Sequence, residues 1–208
     1  MNAHRQGGFN LLELMVTVMV VGVVLGLGVP NFMEFQRNNA ITALANDFVS
    51  AIYLARTEAV KRQVPVTLCA SANATTPAPT CGGAGPLGFI VFVDDANPAV
   101  VAATDGNATV DAGELVLSQH PAPTGTITVF ADGLYIAYGT SGFVVPTAPG
   151  QAQPGLTNIL LCDDRGNADS GGRSAARVVT VSPVGRAQIM RSQADVVAAV
   201  AITGGACP

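Results

Sequence analysis

The chain has 208 residues, of which 49% are hydrophobic and only 12% are charged, and its formal net charge is −4. This length fits one compact domain with an extended helix rather than two large domains. The net negative charge argues against general electrostatic attraction to nucleic acid or to anionic lipid, although a local basic patch remains compatible with it.

The first thirty residues form a polar leader followed by an apolar run. The leader ends in Gly7-Gly8, and the stretch from Phe9 to Val29 is interrupted only by Asn10, Glu13 and Thr17. A helix of about 20 apolar residues spans a bilayer core. An ionisable group inside such a segment is costly, so Glu13 is a candidate functional residue.

Gly8-Phe9 followed by Glu13 resembles the class III signal of type IV pilins and type II secretion pseudopilins. The resemblance implies that a prepilin peptidase removes residues 1–8 by cutting after Gly8. Phe9 would then be the N-methylated new N-terminus, and Glu13 would be retained. An ordinary secretory signal would instead be cut after its apolar region. The alternative is that residues 11–29 form a plain membrane anchor.

Residues 9–29 are therefore predicted to be a transmembrane and polymerisation helix. In a filament, Glu13 of one subunit could pair with the Phe9 amine of a neighbour, which would set the register more than it would add stability. Gly22 and Gly26 permit close helix approach. Pro30 is expected to kink the helix or loosen the turn before it. This pattern resembles that of type IV pilins, which have a proline at the corresponding place.

Residues 30–62 are predicted to continue as an amphipathic helix. Apolar residues recur at spacings of three and four, with polar residues between them, which is typical of a helix that buries one stripe. The helix should end near Arg62 because Val64-Pro65 disfavours further helix. The stripe consists of Ile41, Leu44, Phe48, Ile52, Ala55 and Ala59.

Residues 63–208 are predicted to form a β-rich globular head. Short β-branched and aromatic runs alternate with turn residues, and one face of their sheet should pack on the helical stripe. No second long helix is expected. Loops are predicted at 70–86, 94–113 and 146–154. The predicted strands are Val66–Cys69, Gly88–Val93, Leu115–Ser118, Thr126–Phe130, Tyr135–Tyr138, Asn158–Cys162, Arg177–Ser182, Ala187–Met190 and Val196–Ile202.

Four further stretches resemble the FimT/FimU-type minor pilins and the GspH-type minor pseudopilins. The resemblance implies an α+β type IV pilin fold, in which the long N-terminal helix packs on a C-terminal antiparallel β-sheet domain. The stretches are Ala51–Arg62 with Val66–Cys69, Gly88–Asp94, Asp105–Leu117 and Ser182–Arg186.

This resemblance also implies a non-enzymatic function. A minor pilin of this kind acts at or near the pilus tip, helps to prime assembly and supports adhesion, twitching motility or DNA uptake. Its expected partners are other minor pilins, the major pilin, the prepilin peptidase and the inner-membrane assembly platform. Before assembly it would be a single-pass inner-membrane protein with its head in the periplasm, and afterwards part of an extracellular pilus. The alternative is a GspH-like pseudopilin in a periplasmic pseudopilus of type II secretion.

The four cysteines of this exported head predict two disulfides. Three pairings are possible, and we favour Cys69–Cys81 with Cys162–Cys207. The first closes a loop rich in small residues, and the second ties the C-terminal end to a central strand. A metal site is the weaker alternative because no Cys-x-x-Cys pair is present.

Arginines near the C-terminus raise DNA binding as a further hypothesis. Some FimT-type subunits bind DNA through a Gly-Arg-x-Arg motif, which Gly185-Arg186 begins and Gln188 interrupts. Arg186, Gln188 and Arg191 are therefore the candidate residues. Solvated surface arginines are the favoured interpretation, since nearby aspartates dilute the positive charge.

No cofactor is predicted, and two chemical motifs are weak. Asp105–Glu114 loosely resembles a calcium loop, but its glycine is misplaced, and a polar connection between strands is favoured. His120 stands in a loop-like Gln-His-Pro context and is expected to be a surface residue. The serines lack a nucleophile motif such as G-x-S-x-G, so no catalytic residue is expected.

Overall fold

The computed structural model describes residues 10–83, 88–95, 107–145 and 155–207. The predicted loop at 146–154 and parts of the other two predicted loops lie outside the described residues. The elements in chain order are α1 (Leu11–Arg62), β1 (Val66–Ser71), β2 (Gly88–Val93), β3 (Val116–His120), β4 (Thr128–Ala131), β5 (Tyr135–Tyr138), β6 (Val144–Val145), β7 (Asn158–Cys162), β8 (Asp169–Ser170), β9 (Arg173–Val181), β10 (Ala187–Ser192) and α2 (Gln193–Thr203).

Helix α1 begins and ends where local chemistry favours it. The Asn10 carbonyl accepts the first helical bond from Leu14 N at 3.1 Å, and the Asn10 side chain accepts from Leu12 N at 3.4 Å. At the other end, Gln63 adopts a left-handed φ of 60°. Pro65 follows, and a proline disfavours the helical conformation of the residue before it. The predicted end near Arg62 is confirmed. The α-helix is continuous through position 30.

The chain divides into two compact units, one up to Asn39 and one from Ala40 onward. In the second unit, the predicted helical stripe is buried, and all six of its residues are less than 7% exposed. Ala45 and Ala51 widen the same stripe. The periodicity of the sequence therefore identified the face of the helix that packs against the sheets.

Two antiparallel sheets build the head, where the sequence predicted one. The first has the order β3-β2-β1-β5-β6, and the second has the order β10-β9-β7-β4 with β8 beside β9. Register is set by pairs such as Val66↔Val93 in the first sheet and Ile159↔Val179 in the second. Side chains from both sheets join the α1 stripe in one apolar cluster. The helix and the inner faces of the two sheets thus share a core.

Most predicted strands exist, with shifted ends. The bounds of β2, β5 and β7 are as predicted, whereas β9 starts four residues earlier than predicted, at Arg173. β3 is displaced to Val116–His120, and the short strands β6 and β8 were not predicted. Two-residue strands carry too little apolar alternation to be recognised in a sequence.

The predicted strand at Val196–Ile202 is wrong, because this segment lies in helix α2. Ser192 caps the helix by accepting a hydrogen bond from Asp195 N, and Gly204 ends it in a left-handed conformation with φ 65°. A serine followed three residues later by an acid is a helix-start signal, and a glycine after the last turn is a stop signal. Val196 and Ala199, three residues apart, are buried against the second sheet. The alanines between the valines favour helix over strand.

Two disulfides close the head in the pairing that the sequence favoured. Cys69 in β1 is bonded to Cys81, with their Cα atoms 5.6 Å apart. Cys162 at the end of β7 is bonded to Cys207, with a Cα separation of 5.5 Å. The second bond fixes the segment after α2 to a central strand of the second sheet.

Candidate functional site

The part of α1 up to Asn39 exposes apolar side chains on all sides. Its large apolar residues between Leu11 and Val29 are 50–73% exposed. An 18-residue window of this helix has a mean hydropathy of 2.4 and at most two charged residues. By length and composition alone, the helix is therefore able to cross a membrane. A helix that is apolar all round needs an apolar environment, which lipid or neighbouring helices supply.

Glu13 lies in the first turn of α1 and is exposed. Among the described residues, no partner for its carboxylate is found within hydrogen-bond or ion-pair distance. The predicted cleavage residue Gly8 and the predicted methylated residue Phe9 lie outside the described residues. A Cβ atom added at Gly22 or Gly26 would have nothing within 4 Å of it. Among the described residues, then, Glu13 has no hydrogen-bond or ion-pair partner, and an added Cβ at Gly22 or Gly26 would meet nothing within 4 Å.

A second group of motif residues joins α1 to the turn between β9 and β10. The Gly185 carbonyl accepts hydrogen bonds from Arg56 Nη1 and from the Tyr138 hydroxyl, each at 3.4 Å. The Tyr53 hydroxyl donates to the Ala187 carbonyl at 3.5 Å. The turn itself is closed by Gly185 N donating to Ser182 O at 2.7 Å. The motifs at Ala51–Arg62 and Ser182–Arg186 are thus two sides of one contact.

The Gly88–Asp94 motif ends in a buried carboxylate with a structural role. Asp94 accepts from the Thr67 hydroxyl at 2.6 Å and from the backbone amides of Asn107 and Ala108 at 3.1 and 2.9 Å. A buried carboxylate needs such donors because it has lost its water. Asp94 therefore holds the segment that precedes β3 against β1 and β2.

The calcium-loop resemblance gains no support from the described part of the segment. Asp105 and Gly106 lie outside the described residues. Asn107 Nδ2 donates to Asp111 Oδ2 at 3.0 Å, and Asp111 N donates to Glu114 Oε2 at 2.8 Å. Among the described residues, no group of three or more histidine, cysteine, aspartate or glutamate side chains is arranged to hold a metal ion. The side-chain oxygens of Asp111 and Glu114 thus accept hydrogen bonds from within the segment that precedes β3.

The acidity of Glu114 is perturbed by its surroundings. Burial, with the nearby carboxylates of Asp94, Asp111 and Asp95, raises the pKa of Glu114 to about 7. The Asp111 amide that donates to Glu114 opposes it. One oxygen, Glu114 Oε1, is buried and has no hydrogen-bond partner among the residues that the structure describes. Protonation removes the charge that this environment disfavours.

We expect the variant Glu114→Gln to be more stable than the wild type at pH 8. Because the folded pKa of about 7 lies above the ordinary value of 4.5, the Glu114 contribution to stability is present below about 4.5 and lost as pH rises through about 7. Gln carries no charge at either pH. The gain should be about 1 kcal/mol at pH 8, after allowance for solvent screening of a half-exposed group, and should vanish near pH 4. Urea unfolding monitored by circular dichroism at several pH values measures it.

Glu58 provides the control of opposite sign. Hydrogen bonds from Arg62 and Lys61, at 2.5 and 3.2 Å, lower the pKa of the Glu58 carboxyl. Glu58→Gln should therefore lose stability at neutral pH, and the loss should fade as pH falls through the folded pKa of Glu58. A Glu114→Gln variant with the same pH profile as Glu58→Gln would contradict the assignment of a raised pKa to Glu114.

His120 is the last residue of β3, so its predicted loop setting is wrong. Its ring stacks on Phe89 with centroids 4.6 Å apart and planes inclined by 7°. Nε2 lies 3.1 Å from Asp47 Oδ2, and Nδ1 lies 2.8 Å from the Pro121 carbonyl oxygen. Both nitrogens thus face acceptors. In this geometry His120 links the edge strand β3 to α1 through its contact with Asp47.

Two of the candidate DNA-binding residues, Arg186 and Arg191, lie near opposite ends of β10. Arg186 immediately precedes the strand and is exposed, as is Gln188 within the strand. The register of β10 shifts between Met190 and Ser192. Arg191 follows that shift, and its Nε donates to the Ser174 carbonyl at 3.4 Å. Arg191 is electrostatically coupled to Arg177, a buried residue that the sequence analysis did not single out as a site residue.

Comparisons with known proteins identify the family. The family described as "Type II transport protein GspH" matches residues 44–185, more than half of the chain. The "Type IV major pilin protein PilA" of Myxococcus xanthus (strain DK1622) is 38% identical over 53 residues, which are 25% of this chain and 23% of that protein. The match therefore spans about a quarter of the length of that relative.

Two crystal structures of the type IV minor pilin FimU from Pseudomonas aeruginosa (strain PAO1) are also similar. In space group P21 the TM-score is 0.45 at 19% identity, covering 75% of this chain and 92% of FimU. In space group P65 it is 0.42 at 18% identity, covering 72% and 91%.

The family match carries the identification, because residues 44–185 include the buried stripe of α1 from Leu44 onward, the central strands of both sheets and the turn up to Gly185. The chain belongs to the GspH family.

Proposed function

We propose that this protein is a minor pilin that is incorporated at or near the tip of a type IV pilus and helps to prime its assembly. The observation that carries the proposal is the apolar surface of α1 from Leu11 to Val29, which is at least half exposed at every large apolar residue, with one acid, Glu13, in its first turn. The membrane would hold this segment before assembly, with the head in the periplasm. Neighbouring pilin helices would cover it in the filament.

Processing supplies the positive partner for Glu13. When the peptidase cuts after Gly8, Phe9 gains an amine, which becomes N-methylated and stays positively charged. An unpaired carboxylate in an apolar environment costs several kcal/mol, roughly, so a neighbouring amine favours one register of the helices over the others. Gly22 and Gly26 carry no side chain, and in the described part of the chain an added Cβ there would meet nothing within 4 Å, so a neighbouring helix can come close.

The head would then distinguish this subunit from the major pilin. Its partners would be other minor pilins, the major pilin and the inner-membrane assembly platform. Through the pilus the protein would support adhesion, twitching motility and DNA uptake by the cell.

A second candidate function is a minor pseudopilin of type II secretion. The description of the matching family as a type II transport protein favours it. The same apolar helix and the same processing would serve a periplasmic pseudopilus. Deletion of the gene in the native host separates the two candidates, because loss of surface pili supports the first and accumulation of exoproteins in the periplasm supports the second.

The test of the proposal is processing and incorporation in the native host. Mass spectrometry of the wild-type protein should show an N-terminus at a methylated Phe9. Gly8→Val should retain the leader, and Glu13→Gln should reduce incorporation into sheared filaments by at least about tenfold, because the amine of the neighbour loses its charged partner.

Glu34→Gln is the matched control, since Glu34 is another exposed acid of α1 and follows the apolar stretch. It should be processed and incorporated like the wild type. An intact Met1 start in the wild type, or wild-type incorporation of Glu13→Gln, would refute the proposal.

A further inference from the structure

Arg177 is a buried charge for which the described residues supply no carboxylate partner. It lies in β9, and only 5% of its surface is exposed. Its Nη1 donates to the carbonyl oxygens of Ser174, Ala175 and Ala176 at 3.2, 2.9 and 3.0 Å. In the part of the chain that the structure describes, Nε and Nη2 donate no hydrogen bond and no carboxylate lies within ion-pair distance. Buried charges in proteins are ordinarily paired.

Positively charged groups near Arg177 add to its unbalanced positive charge. Burial, together with the positive charges of Arg191 and Arg165, lowers the pKa of Arg177 to about 10. Asp163 is the acid that opposes this effect. The Asp163 carboxylate, however, is held by Arg165, whose Nη2 lies 2.5 Å and whose Nε lies 3.1 Å away. Asp163 thus contacts Arg165 directly, and among the described residues it makes no hydrogen bond or ion pair with Arg177.

The positions of these groups make a site that is open on one side. Arg191 is exposed, and its Nε reaches the Ser174 carbonyl, which also accepts from Arg177. The guanidinium groups of Arg177 and Arg191 are thus attached to the same backbone oxygen. An anion approaching beside Arg191 would meet the unused nitrogens of Arg177. Guanidinium groups present parallel N–H donors that match the two oxygens of a carboxylate.

We propose that Arg177 and Arg191 bind a single carboxylate side chain, from Asp or Glu, on the head of a neighbouring pilin subunit. The identity of the partner rests on the proposed function, whereas the anion site does not. The bound carboxylate supplies the missing negative charge and contributes charge-assisted hydrogen bonds at the contact between heads.

A carboxylate side chain fits this site better than the backbone of DNA. Because Arg177 is buried, a single inserted side chain suits it. A DNA strand instead carries a phosphate about every 3.4 Å of helix rise and would bring several phosphates to the surface around it. Adjacent phosphates would approach Asp164 and Asp169, which are exposed in the same region of the chain. The net charge of −4 further disfavours a polyanion.

Titration of the full chain in detergent micelles with sodium acetate tests the site. Acetate stands in for the carboxylate side chain, and the Nε–H resonance of Arg177 in ¹H–¹⁵N NMR spectra is the readout. We expect a saturable shift that sodium chloride at equal ionic strength does not produce. Arg191→Gln should weaken acetate binding by roughly tenfold, because a charge-assisted pair of hydrogen bonds is lost.

Arg173→Gln is the control, since Arg173 is an exposed arginine on the same strand. It should leave acetate binding unchanged. The backbone spectrum of each variant reports whether it is folded, and Arg191→Gln keeps the test valid even if Arg177 variants fail to fold. A shift that chloride reproduces, or one that Arg173→Gln weakens as much as Arg191→Gln, would overturn the proposed site.

The source of the carboxylate is tested by charge reversal in the native host. Arg191→Glu should reduce incorporation into filaments without changing cleavage after Gly8, and Arg173→Glu should not. Suppressor mutations should replace an acid by Lys or Arg in the head of another pilin. Normal incorporation of Arg191→Glu would overturn the proposed partner, as would DNA binding by the full chain that Arg191→Gln abolishes. Failure of processing in the wild type would refute the proposed function while leaving acetate binding intact.

Discussion

Replacing Cys162 and Cys207 together by alanine is expected to lower the free energy of unfolding by about 4 kcal/mol and to release helix α2 from the second sheet. The two cysteines are 45 residues apart in the sequence, so their bond closes a long loop. In the chain-entropy description, a crosslink stabilises by restricting the unfolded chain, and the restriction grows with loop length.

The position of α2 explains why the effect should be local as well as global. Only Val196 and Ala199 of this helix are buried, while Val197 and Ile202 are more than half exposed. Two small buried side chains contribute a few kcal/mol at most, roughly. Amide hydrogen exchange should therefore show lost protection in α2 before β9 loses any.

The double variant of Cys69 and Cys81 is the control. These residues are only 12 apart in the sequence, so their loss should cost about 3 kcal/mol and leave the protection of α2 unchanged. Urea unfolding of the full chain in detergent measures both losses. Equal exchange of the α2 amides in the two double variants would show that packing, and not the bond to Cys207, holds the helix.

The elements that the sequence predicts well are those whose apolar residues recur at a regular spacing or form a continuous run between turn residues. Helix α1 repeats its apolar residues at three and four over several turns, so its buried face and its end were predictable. Strands β2 and β7 are short continuous apolar runs between turn residues, and their bounds were predicted without error. These signals are local and need no knowledge of the partner strand.

Helix α2 shows that the spacing of apolar residues does not distinguish a helix from a strand when nearly every residue of the segment is apolar. Valines and isoleucine at 196–202 favour a strand by propensity, whereas the serine cap at 192 and the glycine at 204 favour a helix. Capping signals would have decided correctly, because they fix the ends of the helix whatever its interior contains. The division into two sheets was not predictable, since it depends on which strands pair.

The candidate sites divide in the same way. Glu13 is visible in the sequence because an acid in an apolar run is unusual. Arg177 is not visible, since an arginine in a predicted strand looks like any exposed one until the fold buries it. Likewise, the contact between Arg56 and Gly185 joins residues 129 positions apart. Motifs suggested that both segments matter, and only the fold shows that they touch.

That contact makes Gly185→Ala the substitution with the second large expected effect. Gly185 has a φ of +78°, and a Cβ atom there would lie 2.7 Å from Tyr138 Cε1 and 3.2 Å from the Gly142 carbonyl oxygen. Tyr138 is fully buried, so its ring has no room to retreat. A left-handed φ costs a non-glycine residue about 1 kcal/mol or more, and overpacking adds about 1–3 kcal/mol. We therefore expect a loss of about 2–4 kcal/mol in the free energy of unfolding.

Gly171→Ala separates the two contributions, because Gly171 has a φ of +63° but nothing within 4 Å of an added Cβ. Its free energy of unfolding should fall only by the cost of a left-handed φ at alanine, about 1 kcal/mol, in the same urea titration. The difference between the variants measures the crowding of Tyr138 by the turn. Since the Gly185 carbonyl also accepts from Arg56, displacement of the turn should weaken its attachment to α1 and expose the end of the helix to hydrogen exchange. Equal losses in the two variants would mean that the turn moves freely, and that the Ser182–Arg186 motif does not fasten the second sheet to the helix.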